Sequence, residues 1–161
     1  MSKRGITFQD VVRTYQQPLY WYIRRIVLVH EDAEDILQET FIKAYRNLWS
    51  LRSEAALKAW LYRIATNEVN RYFRRHRDSL PIEEFRTVEP GGSDAASADS
   101  VSKVISAAML RMSPLQKEVF CLKYYDDMDY DDISRITGSN KNSLMVSYHE
   151  AKKKIEKEIE G

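Results

Sequence analysis

The 161 residues include one cysteine, five glycines and four prolines. With Cys121 alone, an internal disulfide is impossible and a cysteine-based zinc site cannot be assembled. The thiol lies within VFCL, where packing accounts for it. Long apolar runs are equally scarce: the longest purely aliphatic one is Ile26–Val29, far short of the ~20 residues of a membrane span. The opening stretch MSKRGITFQD has no apolar core of a secretion signal. The expectation is a cytoplasmic protein with no membrane insertion. A Gly-rich phosphate loop is missing, and no nucleophile has a base nearby in sequence, so neither a catalytic centre nor a cofactor is expected. Strand-like alternation never lasts beyond a few residues, and no internal repeat occurs. The expected fold class is therefore all-α.

The charge that is present is unevenly placed. Residues 1–77 carry fourteen basic against eight acidic side chains, residues 78–101 one against six, and residues 102–161 ten against ten. Clustering of this kind matters more than the net +1, because binding to phosphate depends on local charge. The acidic middle also holds Pro81, Pro90, Gly91 and Gly92 among Ser, Asp, Glu and Ala, which reads as a flexible linker over 78–101 between two small helical domains, 1–77 and 102–161. Fully extended, such a linker reaches about 70 Å.

Helical periodicity fills both flanks. Thr7 and Asp10 form a capping-box pattern ahead of an apolar stripe that runs to His30, with Pro18 placed to kink or split the helix. In EDAEDILQETFIKAYRNL, residues 31–48, the side chains of Ala33, Ile36, Leu37, Thr40, Phe41, Ala44 and Leu48 share one face. Asp35, Gln38, Glu39, Ile42 and Arg46 share the opposite one, an acidic strip interrupted by an isoleucine. First-turn acids stabilise a helix through its dipole, which accounts for the early carboxylates and leaves Ile42 unexplained. A carboxylate metal site at Glu31, Asp35 and Glu39 lacks the Glu-x-x-His partner of helical-bundle sites. His30, His76 and His149 sit near helix ends or on polar faces, and no metal is expected.

A third helix, 57–77, lines up Arg63, Asn67, Asn70, Arg74 and Arg77 on one face. Arg and Asn bond phosphates and base edges, and neighbouring aromatics can stack unpaired bases; a solvated basic face is the competing explanation. In the C-terminal part, Ser113, Pro114 and Gln116 mark a helix start. Asp129 and Asp132 then open DYDDISRIT, Gly138 closes it, and the chain resumes as KNSLMVSYHEAKKKIEKEIE. This helix-turn-helix would aim Asn140, Lys141, Asn142, Ser143, Ser147 and His149 at bases and Lys152, Lys153 and Lys154 at phosphates. Glu150, Glu156, Glu158 and Glu160 dilute that charge, so spacing alone leaves a plain helical hairpin equally open.

Taken in order, DAEDILQETFIKAYRNL, WLYRIATNEVNRYFRR, the acidic linker and LRMSPLQKEVFCLKYYDDMDYDDISRITGSNKNSLMVSYHEAKKKI resemble sigma factors of the extracytoplasmic function (ECF) type, in the sigma-70 family. The resemblance covers nearly the whole chain. It implies a transcription initiation factor that binds core RNA polymerase and promoter DNA, with an anti-sigma factor as a further partner. By this resemblance Asp32, Asp35, Gln38, Glu39 and Ile42 would dock on the coiled-coil clamp of the polymerase's largest subunit. Leu51, Leu57, Arg63, Asn67, Asn70, Arg71 and Arg74 would hold the single-stranded minus-ten element. Asn140, Lys141, Asn142, Ser143, Ser147, His149, Lys152 and Lys153 would read the minus-thirty-five element as duplex. Two departures stand out: Leu51 and Leu57 occupy loop positions where members often carry aromatics, and Met145, Ser147 and Glu150 replace the usual basic residues of the recognition helix. The competing assignment is an autonomous helix-turn-helix regulator whose first domain dimerises or senses a ligand; a carboxylate-metal enzyme is more remote.

Overall fold

The computed structural model describes residues 7–76 and 95–161, and the described residues form helices and turns with no strand. Helix α1 spans Phe8–Val27, α2 His30–Arg46 and α3 Leu57–His76. After them come α4 at Ala95–Met109, α5 at Pro114–Phe120, α6 at Tyr130–Thr137 and α7 at Lys141–Glu160. Most of the expected linker, 78–94, lies outside the described residues, as does Arg77.

The first helix starts where the capping box places it. Asp10 N–H donates to Thr7 Oγ1 at 3.1 Å and Thr7 N–H to Asp10 Oδ2 at 3.0 Å. Pro18 does not split the helix: α1 runs on through it, and Leu19, Tyr22, Ile23, Ile26 and Val27 keep their stripe fully buried. Tertiary packing of that stripe outweighs the hydrogen bond a helical proline forfeits. Leu28 ends α1 at φ 77°, a conformation that costs a non-glycine residue about 1 kcal/mol. Burial of its side chain at 9 % exposure offsets that cost. The turn is so short that α2 must return antiparallel along α1.

Ala33, Ile36, Leu37, Thr40 and Ala44 of α2 face the core as expected. Thr40 is tolerated there because its hydroxyl donates to the Ile36 carbonyl at 2.8 Å. The α2 helix stops at Arg46, two residues early, and Leu48–Ser50 forms a 3₁₀ turn. On α3, Leu57, Leu61, Ala65, Val69 and Tyr72 complete the first core. Two polar clamps tie it together: Tyr22 Oη and Thr66 Oγ1 lie 2.6 Å apart, and Lys43 Nζ meets Glu68 Oε2 at 2.6 Å.

The C-terminal unit begins earlier than its composition foretold. Residues 95–101 are helical, part of α4, so the Ser and Asp content that read as linker is outweighed by alanines and the apolar spacing that follows. Ser113 and Gln116 form a reciprocal cap on α5, with Pro114 in the first turn. A single π turn, Cys121–Tyr125, extends α5. Gly138 at φ 81° closes α6, a left-handed position suited to glycine, and Asn140 caps α7. Ile133, Ile136, Leu144 and Ala151 lock the helix-turn-helix together. The two units pack directly on each other through α3 and α6.

Candidate functional site

The acidic strip of α2 faces outward. Asp35 and Gln38 are exposed, Glu39 is half-buried, and Ile42 keeps 39 % of its surface in solvent. Asp32 stands at the edge of the strip, where its Oδ2 accepts the Tyr72 hydroxyl at 2.7 Å. Ile42 is not isolated: it borders an apolar groove between α1 and α2 lined by Phe8, Val12, Phe41 and Tyr45, with Gln38 at the rim. Phe8 holds Tyr45 edge-on at 5.3 Å between ring centroids, although Tyr45 remains 64 % exposed. An apolar anchor beside a groove and inside a polar ring is the layout of a protein-binding hot spot.

The loop and α3 present a second surface. Arg63, Asn67 and Arg74 are exposed and Asn70 half-buried. Arg71 turns toward the acidic strip, 3.8 Å from Glu68, and lines a hollow shared with Asp35 and Glu39. Leu51 is half-buried against the core, and Leu57 is 7 % exposed. Leu57 therefore offers no surface to DNA, a correction whose cause was readable: it begins the stripe continued by Leu61, Ala65 and Val69. The aromatic group of this loop is Trp49, 83 % exposed. Its turn is stiffened by neighbours: Asn47 Nδ2 donates to the Lys43 carbonyl at 2.9 Å, Ser50 Oγ to the Asn47 carbonyl at 2.7 Å, and Trp60 Nε1 to Ser50 Oγ at 3.2 Å. Arg46, Arg52 and Lys58, near it in sequence, are exposed.

On α7 the expected readers are divided. Asn140 is the N-cap, and its Oδ1 is taken by the Ser143 N–H at 2.8 Å. Lys141 pairs with Asp131 at 2.7 Å. Lys154 is turned inward, where its ammonium reaches the Arg111 carbonyl and Gln116 Oε1, each at 2.8 Å, and so is withdrawn from phosphate. Asn142, Ser143, His149, Lys152 and Lys153 stay exposed and Ser147 half-exposed. The outward face also shows Met145 at 45 % and Val146 at 59 % exposure. Val146 carries no polar group to mark it as a base reader in the sequence, yet an apolar side chain there can meet a thymine methyl. Among the described residues no cluster of His, Cys, Asp or Glu could hold a metal, and no helix is long and apolar enough to cross a membrane.

Two helical units, one offering an apolar anchor in an acidic strip and the other a helix-turn-helix, define a protein that works by binding surfaces. Residues 11–79 match the family model of sigma-70 region 2, and residues 102–155 that of sigma-70 region 4. The chain belongs to the sigma-70 family, among its ECF members. The family is one of transcription initiation factors, and its members are not enzymes. Similar proteins include the RNA polymerase sigma factor YlaC of Bacillus subtilis, 24% identical over 98% of this chain and 94% of that protein. The ECF sigma factor SigW of the same organism is 26% identical over 94% of this chain and 88% of its own length. Among solved structures, the sigma factor RpoE of Bartonella quintana, in complex with the anti-sigma factor NepR, superposes with a TM-score of 0.75 at 22% identity, covering 95% of this chain and 96% of that one.

Proposed function

We propose that the chain binds core RNA polymerase through Asp35, Gln38, Glu39 and Ile42, with Asp32 at the edge, and directs it to promoters. The observation that carries this reading is Ile42, an isoleucine held in solvent on the polar face of α2, beside an apolar groove that none of the described residues fills. The loop and α3 take the single-stranded minus-ten element. Arg63, Asn67, Asn70 and Arg74 supply polar contacts, Arg71 flanks them, and Trp49 supplies the stacking surface that Leu51 and Leu57 cannot. Solvent-facing on a hydrogen-bonded turn, Trp49 has the properties of a platform for an unpaired base. The α7 helix, through Asn142, Ser143, Val146, His149 and Lys153, positions the complex on the duplex minus-thirty-five element.

With Lys141 and Lys154 tied to neighbours, duplex binding by α7 alone is weak and gains strength from tethering to polymerase. An autonomous helix-turn-helix regulator needs the opposite, a second unit that grips DNA unaided, and the paired family matches leave that reading unfavoured. The protein acts in the cytoplasm beside its polymerase, under the control of an anti-sigma factor.

The direct test is equilibrium binding of the fluorescently labelled chain to purified bacterial core polymerase, without DNA, across a salt series. Nanomolar to micromolar affinity, competed by another sigma factor, is the expected result. Folded protein that does not bind would overturn the reading.

A further inference from the structure

In a helix-turn-helix the first residues of the second helix approach base edges while the first helix crosses the phosphate backbone. Lys141 opens α7, and Asp131 is the second residue of α6. Lys141 Nζ meets Asp131 Oδ1 at 2.7 Å, with 57 % and 58 % of the two side chains in solvent. The turn that brings them together is fixed: Ser134 Oγ donates to the Ser139 carbonyl at 2.7 Å, the Ser139 N–H donates to Thr137 Oγ1 at 3.2 Å, and Ile133, Ile136 and Leu144 are buried. Neighbouring acids of α6 are engaged elsewhere. Asp129 Oδ1 accepts the Asp132 N–H at 2.9 Å as the helix cap, and Asp132 Oδ1 pairs with Arg135 at 2.6 Å. Of these three, Asp131 is the acid that meets Lys141.

We infer that Asp131 is a specificity-determining residue: it holds the Lys141 ammonium off the phosphate backbone, so that α7 gains from Lys141 only where a guanine edge offers its acceptors. The inference rests on the role proposed above for α7. An ammonium with no acid beside it is drawn to every phosphate within reach, whatever the sequence. Lys153 is such a group, exposed and in no ion pair among the described residues. For Lys141 the balance differs. A phosphate that captures it replaces one anionic partner with another and leaves Asp131 facing the backbone uncompensated, so the exchange returns little.

Guanine escapes this penalty. Its O6 and N7 accept hydrogen bonds in the major groove and carry no net charge to repel a carboxylate. Because a lysine ammonium has three donors, Lys141 can keep one on Asp131 and turn another to the base. The Lys141 hydrogen bond, and next its charge, hold the Asp131 carboxyl below the usual carboxylate range, so Asp131 is an anion at neutral pH. Exposure of both partners keeps the pair weak, at most about five-fold in an equilibrium, which lets a base redirect it. The pair thus turns a sequence-blind cation into a conditional one.

The test is binding of the full chain to two labelled probes across a salt series: a duplex pool of random sequence, and the duplex that holoenzyme carrying the wild-type chain enriches from that pool. Asp131→Asn should raise affinity for the random pool about two- to five-fold and steepen its salt slope by about one. Affinity for the enriched duplex should rise less, so the preference between the probes falls. Asp131→Glu keeps a carboxylate and should stay close to wild type, and Asp131→Ala repeats the measurement if the Asn variant loses helicity. Lys141→Ala should weaken binding to the enriched duplex and leave the pool unchanged; in that background Asp131→Asn should alter neither. An equal gain with and without Lys141 would overturn the inference, because Asp131 would then act by repelling DNA. So would an inert Asp131→Asn in a protein where Lys153→Ala still weakens binding. If both substitutions are silent, α7 is not the duplex surface, and the proposed role of that helix falls together with the inference.

Discussion

The outward faces of α2 and α7 are both polar helix surfaces, yet their charges are used in opposite ways. On α2, Asp35 and Gln38 stand exposed around an exposed Ile42, so none of the described residues covers that face. On α7, Asn140 caps its own helix, Lys141 is paired with Asp131, and Lys154 braces Arg111 and Gln116. The first surface is ready for a partner. The second has committed part of its polar complement to holding itself together, and what remains outward is a mixture of Asn142, Met145, Val146, His149 and Lys153. On the proposed function, α2 is expected to supply most of the affinity and α7 mainly the register.

That division can be broken most sharply at Ile42. Ile42→Glu places a charge where an apolar anchor sits and should cost polymerase binding about 2 kcal/mol or more, roughly 30-fold, with helicity unchanged because the position is off the core stripe. Asp35→Arg should also weaken binding. Titration against core polymerase measures both; unchanged affinity in a folded variant would remove α2 as the docking surface. Trp49→Ala should come next, at about 1–3 kcal/mol in single-strand binding and in the yield of melted promoter complexes. Trp49→Phe should recover much of that loss, and polymerase affinity without DNA should stay put. A fall in polymerase affinity instead would reassign Trp49 to the protein interface. On α7, Lys153→Ala should weaken promoter binding by the holoenzyme uniformly across sequences and reduce the salt slope by about one.

The α2 surface was legible in the sequence because a single helix carries both its stripes: seven core positions defined one side and Ile42 stood out on the other. The groove beside it was not, since Phe8 and Val12 come from α1 and meet Phe41 and Tyr45 only in the folded unit. Leu57 was assigned to DNA by resemblance although its own spacing to Leu61 and Ala65 placed it in the core. Trp49 lies in a 3₁₀ turn, where no periodicity tells which side chain faces out. Charge counting could not separate Lys154 from Lys152 and Lys153; an inward hydrogen bond to Arg111, 43 residues away in sequence, decides it. Contact between the units was likewise invisible, since a linker's composition reports its own polarity and nothing of where it lets its neighbours rest.

The smallest effect belongs to the scaffold that presents α7. Ser113 was legible as a cap, and its hydroxyl accepts the Gln116 N–H at 3.2 Å while Gln116 Oε1 accepts the Ser113 N–H at 3.1 Å. The same Gln116 oxygen also receives Lys154, so the cap of α5 and the anchor of α7 share an atom. Ser113→Ala should lower stability by about 1 kcal/mol, a melting shift of a few degrees, with polymerase binding unaffected. Lys154→Met, which removes the ammonium and keeps the stem, should shift melting by a similar or smaller amount. In the double variant the two losses should add to less than their sum, because each one loosens Gln116. Strict additivity would mean that α5 and α7 are braced independently, and that the comparison of α2 with α7 must rest on Lys141 and Asn140 alone.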